Sequence, residues 1–141
     1  MLTQLAYGTV MVVLTVIVQA AFIGAASGAL SRAGDWFTHP PYGTKLLIAL
    51  VGLVLWLVAG LSVSAWTWAG LFLWLDVFKE LEPALYFSVV TFTTLGYGDV
   101  TLDTQWRLLG SLSAVNGLII VGLNTAFLVE AISRILRAQH N

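Results

Sequence analysis

The sequence of 141 residues contains no cysteine, three prolines, two histidines and few charges. Without cysteine the chain can form neither disulfides nor thiolate metal sites. The histidines, His39 and His140, stand far apart in the sequence, so they predict neither a metal site nor an acid-base pair. Charged residues make up 9% of the chain, against about a quarter in soluble domains. These deficits argue against a soluble enzyme, and we expect no catalytic residue and no cofactor.

Three long hydrophobic runs indicate a membrane protein. Hydrophobic residues make up 59% of the sequence, and the runs cover residues 2–30, 46–75 and 108–136. A transmembrane helix needs about 20 mostly apolar residues, so each run is long enough. The segment between the second and third runs is too short and too mixed to cross twice, which predicts a re-entrant hairpin. The first run lacks a positive leader and exceeds a signal-peptide core, so we interpret it as a retained helix.

Residues 93–99 read TTLGYGD, with two glycines separated by one residue. Carbonyls along an ordinary strand point alternately to its two sides. A row of carbonyls that all face one way therefore needs residues whose φ alternates between negative and positive values. Gly96 and Gly98 permit this, because glycine takes positive φ without a Cβ clash. Such a row can replace the hydration shell of an ion. Gly-Tyr-Gly alone would also suit a surface turn, but here it follows a threonine-rich segment between two membrane-length runs.

The motif closely resembles the Thr-Val-Gly-Tyr-Gly-Asp selectivity filter of potassium channels, with Leu95 in the place of valine. Residues 84–92 resemble the pore helix of that superfamily, and residues 107–126 resemble its inner helix more loosely. The chain therefore resembles the small bacterial potassium channels, with an extra N-terminal helix. The resemblance implies an all-α membrane protein with three transmembrane helices, a re-entrant pore helix and the tetrameric potassium channel pore fold. Residues 1–45 would form the N-terminal helix and a cytoplasmic loop, and residues 46–141 the pore domain.

The resemblance also implies the ion-binding residues and their supports. The filter would comprise Thr94, Leu95, Gly96, Tyr97 and Gly98, with K⁺ held at the first four. Its supports and mouth would comprise Thr93, Tyr86, Phe87 and Asp99. Tyr86 and Phe87 occupy the positions of an aromatic cuff, with core packing as the alternative, and the Tyr86 hydroxyl could reach Asp99. Val90 stands where some members place a bracing glutamate, so that brace is absent.

Cavity and gate candidates lie on the expected inner helix: Asn116, Gly117, Gly122, Thr125 and Glu130. Gly117 falls where the family places a hinge, although both glycines could equally serve close helix packing. Thr125 is expected to face the water-filled cavity, and Asn116 to find an interhelical partner or cavity water. Glu130 could form a titratable ring, or could pair with Arg134 at i,i+4, which we favour.

Charge predicts the orientation. If the filter mouth opens outward, the external segment 76–107 carries five acidic and two basic residues, a net charge of minus three that would concentrate cations. The basic residues outside this segment are Arg32, Lys45, Arg134 and Arg137, in agreement with the positive-inside rule. We expect a multi-pass protein of the plasma or inner membrane, with an external amino terminus and a cytoplasmic carboxyl terminus.

The predicted function is passive conduction of K⁺ by a homotetramer, whose partners are membrane lipids and K⁺ and not nucleic acid. Two alternatives stay open. A poorly selective cation channel would follow if Leu95, which is bulkier than valine, alters packing behind the filter. A structural or accessory subunit would retain the pore fold without conducting.

Overall fold

The computed structural model describes residues 2–140, apart from the side chain of His140. All regular elements among these residues are helices: α1 (Leu2–Arg32), α2 (Gly34–Phe37), α3 (Tyr42–Trp74), α4 (Leu81–Phe92) and α5 (Arg107–His140). Three of them, α1, α3 and α5, are long and apolar enough to cross a membrane. The 12-residue α4 is too short to do so. The predicted all-α class with three long helices and a short one between the last two is confirmed.

The long helices extend beyond the hydrophobic runs that predict them. Helix α3 has 33 residues, or about 50 Å at 1.5 Å per residue, against a hydrocarbon core of about 30 Å. The helix is not shortened by an early end near Gly70, since it continues to Trp74. The remaining solution is that α3 tilts or projects beyond the hydrocarbon.

The three long helices have two distinct ends. At the end that we call the upper end, the Gln4 amide donates to the carbonyl of Gln105, and the ring of Tyr7 meets that of Trp74 edge-on at 5.8 Å. At the lower end, the Gln139 amide donates to the Tyr42 carbonyl at 3.3 Å. Helices α1 and α5 thus run downward side by side, and α3 runs upward against both.

Helix α2 and the loop after it connect α1 to α3 at the lower end of the bundle. Phe37 is 3% exposed and anchors this short helix in the bundle. The Lys45 ammonium donates to the carbonyls of Trp36 and His39 at 2.5 and 2.7 Å and lies 5.0 Å from the Trp36 ring centroid. Lys45 therefore satisfies carbonyls at the end of α2, in addition to carrying one of the positive charges of the lower end.

Helix α4 begins two residues earlier than Glu82-Pro83 predicts. Proline is expected at the first helical position, but the helix starts at Leu81, so Pro83 takes the third. The first four backbone N–H groups of a helix have no partner within it, and proline there removes none of the helical hydrogen bonds.

One side of α4 packs into the main core of the upper half, to which Leu102 of the loop 93–106 also belongs. Phe87 meets Phe72 of α3 at a ring distance of 5.4 Å and Phe78 at 5.5 Å. Phe92, the last residue of α4, is completely buried in the same core, which also contains Met11 of α1. The pore-helix equivalent thus packs against α3 and α5, and α1 shares the same core through Met11.

Gly117 of α5 lies directly against the carboxyl end of α4. A Cβ added at this glycine would stand 1.8 Å from the Phe92 carbonyl oxygen and 2.6 Å from its carbonyl carbon. Both distances are far below van der Waals contact, and the obstacle is backbone, which cannot rotate away. Of the two roles open for Gly117, the structure supports close packing.

We expect Gly117→Ala to destabilise the protein strongly, because the new methyl group would push α5 away from α4. Overpacking of this kind costs about 1–3 kcal/mol or more. The measurement is thermal unfolding in detergent, with Gly70→Ala as the control, since a Cβ at Gly70 meets nothing within 4 Å. Equal melting temperatures for Gly117→Ala and wild type would contradict the packing role.

Candidate functional site

In the segment 93–99, which follows α4, the sign of the backbone angle φ alternates from residue to residue. Positive φ angles occur at Thr94 (61°), Gly96 (55°) and Gly98 (78°), whereas Leu95 and Tyr97 have negative φ. The glycines were expected to take these angles. Thr94 was not, because positive φ is costly for a β-branched residue. The alternation over five residues is the backbone pattern that a one-sided row of carbonyls requires.

The carboxyl end of α4 holds the beginning of this segment. The Val90 carbonyl accepts from the amides of Leu95 and Gly96, at 2.9 and 3.2 Å, and the Thr91 carbonyl accepts from the amide of Thr94 at 2.9 Å. The last carbonyls of a helix lack partners within it, so they are free to bind the amides that follow. These bonds fix the turn at the bottom of the segment and impose the positive φ of Thr94.

Among the expected supporting residues, Thr93 and Phe87 contact the rest of the subunit, whereas Tyr86 contacts the end of the candidate filter. The Thr93 hydroxyl donates back to the Val89 carbonyl at 2.8 Å, so it is engaged with α4. Phe87 is buried in the core, whereas Tyr86 is only partly buried and reaches toward the mouth. Of the expected cuff pair, one residue thus packs inside the subunit and the other contacts the candidate filter.

Tyr86 and Asp99 form the expected contact at the upper end of the segment. The Tyr86 hydroxyl donates to Asp99 Oδ2 at 2.6 Å, and the Val100 amide donates to Asp99 Oδ1 at 3.0 Å. The hydrogen bond from Tyr86 lowers the pKa of Asp99, and the same bond raises the pKa of Tyr86. The carboxylate is therefore ionised at neutral pH, and its two oxygens are held by different partners. Val90 is buried and supplies no carboxyl group to brace Asp99.

The expected cavity and gate residues of α5 do not share one face. Asn116 is completely buried, and its amide nitrogen donates to the Thr15 hydroxyl of α1 at 2.6 Å. Its assignment as a cavity residue is therefore wrong, because its side chain turns toward the N-terminal helix. The interhelical partner expected for it is present.

Three other candidates, Gly122, Thr125 and Glu130, lie on the exposed surface of α5. Gly122 and Thr125 are exposed, and the Thr125 hydroxyl donates to the Val121 carbonyl at 2.9 Å. Glu130 Oε1 accepts from Arg134 Nε at 2.7 Å and lies 3.5 Å from Arg137. The structure thus supports pairing of Glu130 with Arg134. Such exposed pairs contribute little stability.

Sequence reasoning missed two polar residues of α1. Besides Thr15, the completely buried Gln19 donates from its amide to Asn124 Oδ1 of α5 at 2.6 Å. A signal was present in the sequence, because Thr15 and Gln19 are spaced i,i+4 within an apolar run, as expected of two residues on one helix face. Both contacts connect a helix outside the resemblance to the one that would line the pore.

Comparison with known proteins identifies the family. The family model described as "Ion channel" matches residues 51–134, more than half of the chain. The protein belongs to this ion channel family, and it is a membrane protein.

More distant relatives are potassium channels. The potassium voltage-gated channel protein Shal of Drosophila melanogaster is 32% identical over 59 residues, 41% of this chain and 10% of Shal. The A-type voltage-gated potassium channel KCND3 of Rattus norvegicus and that of Homo sapiens show the same identity over 59 residues, 9% of their length. The matched region thus spans about a tenth of these curated relatives. No solved structure matches the chain significantly.

We expect Tyr86→Phe to remove the Asp99 contact and its pH dependence. Because the pKa of Asp99 is lowered in the folded protein, the contact contributes stability above the ordinary aspartate pKa and loses it as the pH falls through the lowered value. The melting temperatures of wild type and Tyr86→Phe should therefore differ at neutral pH and converge in acid. Asp99→Asn tests the same carboxylate. A difference between wild type and Tyr86→Phe that stays constant down to the most acidic pH would contradict this assignment.

Proposed function

We propose that this ion channel protein is a potassium channel, in which copies of the segment 94–98 form a ring of carbonyls around a central axis. The observation that carries the proposal is the alternation of φ at Thr94, Gly96 and Gly98 within a sequence that matches a potassium filter. K⁺ would bind at Thr94, Leu95, Gly96 and Tyr97, where carbonyls replace its water shell. The 32% identity to a potassium channel over 59 residues supports the same ion.

The surface of a single chain supports assembly into a ring. Leu95 and Tyr97 are 56% and 67% exposed, although both lie in the candidate filter. Beside them is a groove of about 580 Å³, bordered by α4, the filter and the upper part of α5. An irregular backbone cannot face lipid with unpaired polar groups, so this side needs further copies of the chain. A homotetramer is the assembly that the resemblance implies, with K⁺ passing down its axis.

Charge supports the proposed orientation. The upper end, with the filter mouth, carries Asp76, Glu80, Glu82, Asp99 and Asp103 against Lys79 and Arg107. Arg32 and Lys45 flank the lower connection, and Arg134 and Arg137 lie in the last turns of α5. The positive-inside rule then places the lower end in the cytoplasm of the cell, with the amino terminus and the filter mouth outside.

The function is tested with the purified protein in lipid vesicles and planar bilayers. We expect selective K⁺ current, carried by an assembly that native mass spectrometry shows to contain four chains. Gly96→Ala should reduce selectivity or abolish current, because positive φ costs an L-residue about 1–2 kcal/mol in each chain. Gly24→Ala is the control, since a Cβ there meets nothing within 4 Å.

The other results decide against the proposal in different ways. Equal permeability to Na⁺ and K⁺ in the wild type would indicate a poorly selective cation channel. An assembled protein without current would indicate a structural or accessory subunit. Unchanged selectivity in Gly96→Ala would show that the carbonyl ring is not built on this backbone.

The orientation is tested by cysteine labelling, for which the natural chain is a clean background because it has no cysteine. Thr3 lies at the upper end and Thr38 at the lower end, and both are exposed. We expect a membrane-impermeant thiol reagent to label Thr3→Cys in intact cells and to label Thr38→Cys only after the cells are opened. The reverse pattern would overturn the proposed orientation.

A further inference from the structure

The contact between Thr15 of α1 and Asn116 of α5 is buried and directional. Both residues are completely buried. The Thr15 hydroxyl donates its proton to the Met11 carbonyl at 2.8 Å, which leaves its oxygen to accept from Asn116 Nδ2 at 2.6 Å. Asn116 Oδ1 has no hydrogen-bond partner among the described residues. The Thr15 hydroxyl therefore orients the Asn116 amide in a region where water cannot take its place.

The neighbour of Asn116 on α5 connects this contact to the filter. Gly117 follows Asn116 and lies against the Phe92 carbonyl, with no room for a Cβ. Phe92 ends α4, and Thr94, the first residue of the filter, comes two positions later. A continuous series of contacts thus leads from Thr15 through Asn116, Gly117 and Phe92 to the filter.

The second polar contact between α1 and α5 has a different position. Gln19 binds Asn124, which lies eight residues below Asn116 on α5, or about 12 Å along the helix. No comparable close approach to α4 exists there, since a Cβ at Gly122 meets nothing within 4 Å. The chain therefore offers two buried contacts of the same kind, of which one lies at the level of the filter support and the other below it.

We propose that Thr15 is a positioning residue for the selectivity filter, acting through Asn116 and Gly117. Its hydroxyl fixes the rotation and height of α5 at the point where this helix supports the carboxyl end of α4. The inference rests on the proposed potassium-conducting function, and it assigns a role in ion selection to the N-terminal helix, which lies outside the matched region 51–134.

The test compares three variants of the full-length chain reconstituted in lipid. Thr15→Val keeps the shape of the side chain and removes the hydroxyl, Thr15→Ser restores a hydroxyl, and Gln19→Leu breaks the lower contact instead. Two quantities are measured: the permeability ratio of K⁺ to Na⁺, and the K⁺ concentration that gives half of the thermal stabilisation by K⁺. The second quantity reports ion binding to the filter without requiring current.

We expect Thr15→Val to change both quantities by about threefold or more, which lies within the usual range of coupling between such sites. Thr15→Ser should restore the wild-type values within about twofold, and Gln19→Leu should leave them within the same range, because distant contacts act independently. Wild-type values in Thr15→Val, or an equal change in Gln19→Leu, would overturn the proposal.

A variant that fails to fold is also decisive. If Thr15→Val does not assemble, Asn116→Ala breaks the same hydrogen bond from the other side and is measured in the same way. If neither assembles although Thr15→Ser does, the contact serves folding alone and the proposal is wrong. A wild type that selects no ion refutes the proposed function and the inference with it. A selective wild type with an unaffected Thr15→Val refutes only the inference.

Discussion

The contact between the Phe92 carbonyl and the backbone of Gly117 is the constraint on which the upper half of the structure depends. It sets the height of α4 relative to α5, and the carbonyls at the end of α4 in turn accept hydrogen bonds from the first amides of the candidate filter segment. The Val90 carbonyl accepts from the amides of both Leu95 and Gly96, which restricts the backbone conformation of this turn. The backbone of the candidate filter is therefore positioned by packing below it as well as by its own glycines, and a small displacement at Gly117 would be passed to Thr94 through Phe92 and Thr93.

Polar side chains give α1 a defined place in a medium where apolar packing alone is weakly directional. Lipid tails are as apolar as leucine, so transmembrane helices associate through close packing and hydrogen bonds. Helix α1 uses both: Gly8 lies against Leu112, Gly60 of α3 makes room for Gln19 and Phe22, and two hydrogen bonds between side chains join α1 to α5. The arrangement specifies one register between α1 and α5, since a shift by one residue would separate the partners of both hydrogen bonds.

The sequence allowed the helices and the filter glycines to be predicted, because each has a local cause. Gly96 and Gly98 predict positive φ because glycine has no Cβ, and the hydrophobic runs predict the helices by their length. The positive φ of Thr94 has no local cause and follows from the hydrogen bonds at the end of α4. Asn116 was misplaced for a related reason: one polar residue on an apolar helix does not reveal whether water or another helix faces it.

Three membrane-length helices leave the two ends of the described chain on opposite ends of the bundle, with Gln4 near the candidate mouth and Gln139 at the lower end. A pore domain with two crossings returns its chain to the side on which it started. Here, a fusion that joins Gln139 of one copy to Gln4 of the next would need a linker as long as the bundle, because these two residues lie at its opposite ends.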